Sequence, residues 1–268
     1  MGFSPREVLN PPDPPDIAVI TDPSQRRALW LELGIVGVLT FGFSAIYAIL
    51  SLIESELTGG IEGTTVALNP SRSSVEAIDA LRQLLSGIRL FAMAGLGVYL
   101  LWRSGVGRDR VGLGRWSPRR DIPAGLALTA IIGIPGLAVV ATARALGLNA
   151  SLVPSTADAW WEWPVLILVA IGNGAAEEIL VVAYFITRLR QLGFGANSAL
   201  GASAVLRGSY HLYQGFGAGV GNLAMGLVFG RFFQVSGRTW PLVIAHGAID
   251  VIAFVGYALL RDHLPWVG

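Results

Sequence analysis

Apolar residues fall along this chain in long blocks. Seven stand out, at roughly 28–53, 84–102, 123–146, 164–187, 196–213, 217–235 and 240–260. A helix rises 1.5 Å per residue, so about 20 residues cross the ~30 Å hydrocarbon layer of a bilayer. The first four blocks and the seventh reach that length. The fifth and sixth are short, rich in glycine and joined by the tight link Gln214-Gly215-Phe216-Gly217. The pattern therefore predicts an all-α, polytopic transmembrane helix bundle of about seven spans, with six and eight as the bounds. Ahead of the second block, Val75, Ile78, Leu81 and Leu85 recur at helical spacing behind Ser73-Ser74-Val75-Glu76. That reads as a capping box opening an interfacial helix that runs into the span. Residues 1–27 are polar and carry Pro11-Pro12-Asp13-Pro14-Pro15-Asp16. They read as a flexible cytoplasmic tail and not as a signal peptide, because no apolar stretch follows a basic start. Residues 28–163 then hold the N-terminal spans and loops, 164–260 the chemistry described below, and 261–268 a C-terminal tail.

Composition agrees with a bilayer as the solvent. Of 268 residues, 53% are apolar and only 14% are charged, against roughly 25% charged in an ordinary soluble domain. There is no cysteine, hence no disulfide, thiolate metal site or cysteine nucleophile. There is no lysine either, which removes Schiff-base and Ser–Lys chemistry. A net charge of +1 gives no reason to expect nucleic acid as a partner. The 34 glycines read as helix packing, with Gly217/Gly221 and Gly226/Gly230 at small-residue spacing. Trp30, Trp102, Trp160, Trp161, Trp163, Trp240 and Trp266 lie near block ends, where indole rings favour the headgroup level. Arginines crowd the loop 103–121 and recur at Arg26, Arg27, Arg188, Arg190 and Arg238, whereas 54–83 and 147–163 are mostly acidic or neutral. The positive-inside rule then predicts a multi-pass cell-membrane protein with a cytoplasmic N-terminus and an external C-terminus.

The second half of the chain breaks the apolar pattern at high cost. Glu177 and Glu178 fall mid-block, Arg207 and His211 in the fifth block, Asn222 in the sixth, and His246 and Asp250 in the seventh. An ionisable group at mid-bilayer costs about 2.5–3.5 kcal/mol on insertion scales. Glu177, Glu178, Arg207 and Asp250 together imply roughly 10 kcal/mol, which apolar side chains would avoid. His246 and Asp250, like Arg207 and His211, are four apart and share a helix face. Adjacent Glu177 and Glu178 diverge by about 100°, so one can face a cavity and the other a neighbouring helix. The fourth, fifth and seventh spans are expected to converge on one buried polar site. Asn222 reads as a supporting hydrogen bond, Arg231 as snorkelling to the surface, Tyr210 and Tyr213 as packing, and His263 as solvated.

Two carboxylates and two imidazoles suit hydrolysis of a peptide bond: a carboxylate as general base, one histidine sharing the water, the other facing the oxyanion. Glu177, His211 and His246 are also the donor types of a divalent metal such as zinc, although no His-Glu-x-x-His helix is present. Two other classes stay open: a proton-coupled transporter, and a non-catalytic membrane immunity or assembly factor whose cluster only holds helices together.

The segments Glu177-Glu178-Ile-Leu-Val-Val182, Arg207-Gly-Ser-Tyr-His211 and His246-Gly-Ala-Ile-Asp250 resemble the motifs of the CPBP family of intramembrane proteases. These are the bacterial CAAX-protease-like and Abi proteins, related to the eukaryotic Ras-converting enzyme. The family pattern is Glu-Glu-x-x-x-Arg, Phe-x-x-x-His and His-x-x-x-Asn/Asp on successive membrane helices. The resemblance spans about residues 164–260 and implies an endopeptidase acting on a peptide or protein at the lipid bilayer. It implies that Glu177 and His211 activate water, while His246 and Asp250 stabilise the oxyanion or complete a metal shell. Glu178 is then supporting. Val182 stands where the family has arginine, and Arg207 where it has phenylalanine. Arg207 is placed to supply the missing countercharge from the next helix. The departures leave an active and a catalytically impaired enzyme both open.

Overall fold

The computed structural model describes residues 5–9, 11, 17–114, 116–154, 159–256 and 259. In chain order the elements are α1 (Pro5–Leu9), α2 (Pro23–Gly37), α3 (Phe43–Leu57), β1 (Thr65–Leu68), α4 (Glu76–Arg103), α5 (Pro118–Ala145), β2 (Ser151–Pro154), α6 (Glu162–Glu177), α7 (Phe185–Gln191), α8 (Ala196–Ser209), α9 (Phe216–Ser236) and α10 (Trp240–Val251). Five helical stretches have the length and apolarity to cross a membrane: Pro23–Leu57, Glu76–Arg103, Pro118–Ala145, Glu162–Gln191 and Phe216–Ser236. The architecture is thus an all-α membrane helix bundle. The block sizes differ from expectation at the C-terminal end. The sixth block forms a full-length helix, because Asn149 Oδ1 accepts from the first-turn amides of Gly217 and Ala218 and lets it start at Phe216. The seventh is shorter than a span, Trp240–Gly256, and α8 is shorter still.

Two long spans contain π segments. Val38–Gly42 joins α2 to α3 without a break, and Glu178–Tyr184 joins α6 to α7. A π turn closes hydrogen bonds five residues apart and is frequent at functional sites.

The bundle is ordered inside out relative to a soluble protein. The apolar window of Glu162–Gln191 is 72% buried, against 22% for Pro23–Leu57 and 11% for Pro118–Ala145. The α6–α7 rod is therefore the axis, while α2–α5 turn large side chains such as Leu39, Tyr47, Ile134 and Leu137 outward, where lipid would meet them. Glycine sets the tightest approaches. A Cβ on Gly174 would stand 2.8 Å from Gly247 N and 3.2 Å from His246 Cβ, so α10 lies directly on α6. Gly208 and Gly226 do the same between α8 and α9. Of the spaced glycines, Gly226 and Gly230 face α8, Gly217 faces Ala143 of α5, and Gly221 has only a loose neighbour, Val139.

The expected basic end is one end of the bundle. Arg188 donates to Ser104 and Leu100 O, Arg26 to Leu192 O, and Arg238 pairs with Asp121 at 2.6 Å. The flexible tail is shorter than expected. Ile20 N donates to Gln191 O, and Arg26 clasps Ile20 O as well, which pins the chain just before α2 to the end of α7. The proline run from Pro12 to Asp16, Arg115, and residues 260–268 with His263 and Trp266 lie outside the described residues. The capping box does not form: α4 starts at Glu76 behind Val75, and Ser73 Oγ accepts from Val75 N instead. The helix is continuous from Glu76 to Arg103, so the expected interfacial helix and the span are one rod.

The far end carries a feature the apolar blocks did not foretell. β1 and β2 pair in parallel with Thr65 opposite Ser151, and Asn149 bridges Gly215 beside them.

Candidate active site

The site is assembled where α6, α8 and α10 meet. Glu177 and Glu178 are almost fully buried, as are Arg207 and His246. The two acids have separate partners. Glu177 Oε2 accepts from the Tyr210 hydroxyl at 2.6 Å, and its Oε1 accepts from Asn173 Nδ2 at 3.3 Å. Its nearest formal cation, Arg207 Nη2, stands off at 3.9 Å. Glu178 Oε1 instead takes a direct ion pair from Arg207 Nη2 and faces His246 Nδ1 at 2.7 Å.

Arg207 thereby serves both histidines. Its side chain pairs with Glu178, which holds His246, and its carbonyl lies 3.0 Å from His211 Nδ1. A carbonyl only accepts, so His211 Nδ1 carries the proton and Nε2 keeps the lone pair. By the same reasoning, the carboxylate beside His246 Nδ1 makes that nitrogen the donor. His246 Nε2 then looks toward Asp250 Oδ2 at 3.7 Å, one turn along α10. Asn173 closes the loop, because the Nδ2 that reaches Glu177 also donates to Asp250 Oδ2 at 2.9 Å. Glu177 and His211 each lie within electrostatic reach of the other, of His246 and of Arg207.

Glu177, Glu178, Arg207, His246 and Asp250 form one hydrogen-bonded and ion-paired cluster, and His211 joins it through the Arg207 carbonyl. Asn222 does not enter it: its Nδ2 donates to Ala218 O in its own helix. Val182 is fully buried in the π segment and leaves the arginine role to Arg207. Two members escape a reading of the sequence. Asn173 lies one turn before Glu177 on the same face, a spacing that flags it. Tyr210 reads as packing, and it does stack on Phe41 with centroids 4.9 Å apart, yet its hydroxyl is committed to Glu177.

Among the described residues no three or more His, Asp or Glu side chains converge as a metal-holding group. Glu177 is held on both oxygens by neutral donors, and each histidine commits Nδ1 to a neighbour and keeps Nε2.

A buried cluster of acids and imidazoles inside a membrane helix bundle marks a functional site rather than packing. Residues 159–252 match the family model described as type II CAAX prenyl endopeptidase Rce1-like. No curated protein and no solved structure matches the chain.

Proposed function

We propose that the chain is an intramembrane endopeptidase in which Glu177 is the general base and water the nucleophile. The observation that carries this reading is the unequal treatment of two adjacent carboxylates. Glu178 is consumed by an ion pair and an imidazole. Glu177 is held by neutral donors on both oxygens and has no short ion pair. A carboxylate oriented without being neutralised keeps lone pairs for a water.

In this mechanism a water bridges Glu177 and His211 Nε2. Glu177 takes one proton as the water oxygen adds to the scissile carbonyl. His246, with Nδ1–H on Glu178, offers Nε2–H to the oxyanion in its imidazolium form, flanked by Asp250. The tetrahedral species then collapses with cleavage of the C–N bond, and Glu177 returns the proton to the leaving amine. No metal takes part. Glu178, Arg207, Asn173 and Tyr210 are positioning residues. The substrate is a peptide or protein at the bilayer, and the arginine-rich end faces the cytoplasm.

The test is cleavage of a quenched-fluorescent farnesylated CAAX peptide, and of its unprenylated twin, by purified protein in detergent. Glu177→Gln, His211→Ala and His246→Ala are each expected to lose cleavage while keeping the wild-type melting profile. Unchanged cleavage in all three rejects the reading. Cooperative unfolding in all three makes the cluster structural, and pH-driven ion flux in liposomes without cleavage makes it a transport site.

A further inference from the structure

The sheet end of the molecule holds backbone groups without a role in the chemistry above. Successive residues of a strand direct their N–H and C=O groups to opposite edges. Ser151 N donates to Thr64 O at 2.9 Å, which puts Ser151 and Val153 on the β1 side of β2. Ala150, one residue earlier, donates the other way, to Gln214 O at 3.0 Å. Leu152 shares the parity of Ala150, so its N–H and C=O face the Gln214 side. Among the described residues no hydrogen bond outside the β1–β2 pairing reaches them. Val153 beside it is exposed. This edge of β2 is closed at Ala150 and open at Leu152.

What closes it is the loop that follows His211. Gln214 N donates to His211 O at 3.0 Å. Leu212 packs on Leu52, Ile61 and Ala150 together with Val66 of β1. Ala150, the residue before the open edge, is thus bonded through Gln214 to the backbone of His211.

We propose that the open edge of β2 at Leu152 takes an extended segment of the peptide substrate as a third strand and leads it to His211. This rests on the endopeptidase reading. The occupant is an extended polypeptide because the unmet groups are a backbone donor and a backbone acceptor, which a strand meets in register. Such pairing is indifferent to side chains, so the edge selects unfolded chain next to the scissile bond rather than one sequence. Antiparallel pairing, the sense of the Asn149–Gly215 bridge, brings the C-terminal end of that segment to Gln214 and the residues after it to His211.

The cysteine-free chain allows a direct test. Full-length Leu152→Cys and Ala67→Cys, each combined with Glu177→Gln, are mixed in detergent with a farnesylated CAAX peptide. The peptide carries one activated-disulfide cysteine upstream of its prenylated residue. Ala67 has the outward parity on the opposite edge, that of β1. Disulfide capture at position 152 is expected to exceed capture at 67 by about tenfold, the worth of one net hydrogen bond. Equal capture, or preference for 67, overturns the proposal. In the active protein, Leu152→Pro removes the edge donor while 151 and 153 keep β1. It is expected to raise KM about tenfold and leave kcat within about twofold, with Ala67→Pro neutral in both. An unchanged KM in Leu152→Pro also overturns it. Wild-type protein that cleaves no peptide defeats the endopeptidase reading, and capture still decides the edge. Cleavage without edge-selective capture defeats the edge alone.

Discussion

Among the described residues two arginines are buried, Arg188 and Arg207, and they are satisfied very differently. Arg188 of α7 directs Nη1 to Ser104 Oγ and Gln191 Oε1, and Nη2 to Leu100 O and Glu32 Oε1. Tyr184 donates to the same Glu32 oxygen at 2.9 Å. Only Nε of Arg188 lacks a partner. Arg207 of α8 has Glu178, the more distant Glu177 and the face of Phe229, whereas its Nε and Nη1 and the Oε2 of Glu178 have no hydrogen-bond partner among the described residues. Buried polar groups are normally paired, so each orphan asks for a reason. The Arg188 cluster is a finished clamp that ties α2, α4 and α7 together. The Arg207 cluster is unfinished in the way a site is that must admit water and a polar peptide group. Burial alone does not separate scaffold from chemistry; the state of the hydrogen-bond inventory does.

The largest effect expected from breaking this contrast is in Arg207→Ala. It leaves Glu178 as a buried charge without its ion pair, and should cost about 3–5 kcal/mol in unfolding measurements together with most of the cleavage. Adding Glu178→Gln removes the stranded charge and should recover part of the stability without the activity. Arg188→Ala should cost less, about 1.5–3 kcal/mol, because Glu32 is partly exposed and keeps Tyr184. Its folded fraction should cleave at the wild-type rate, as active-site titration of the purified variant would show. Smaller again is Tyr210→Phe. The ring keeps its stack on Phe41 and Glu177 loses one donor, so kcat should fall about tenfold while the melting temperature holds. At the bottom of the scale stands metal removal. Dialysis against EDTA or 1,10-phenanthroline should leave the rate of cleavage unchanged, and a loss restored by added zinc would contradict the donor geometry.

What is legible in the sequence follows from what a bilayer penalises. Charged groups at membrane depth are costly, so Glu177, Glu178, Arg207, His246 and Asp250 stand out against the apolar blocks that hold them, and helical spacing pairs His246 with Asp250. Neutral polar groups carry no such signal. Asn173 has only its spacing, one turn before Glu177, to mark it, and Tyr210 looks like an ordinary bundle residue until its bond to Glu177 is seen. The π turn at Glu178–Tyr184 is invisible in the sequence because the residues after Glu178 are apolar without a break up to Tyr184 and show no period. The small sheet is hidden for another reason: β1 and β2 are four residues each, far apart in sequence, and paired in parallel, so neither strand predicts the other. The sixth helix outgrows its apolar block because a cap from Asn149, far back in the chain, fixes its start.

The account turns on Glu177 being the base while its neighbour orients. The decisive measurement is the single-turnover cleavage rate of the farnesylated peptide for Glu177→Gln against wild type, on protein whose melting profile is unchanged. A fall of about 10³-fold is predicted, the range of a lost general base. A rate within a few-fold of wild type would contradict it.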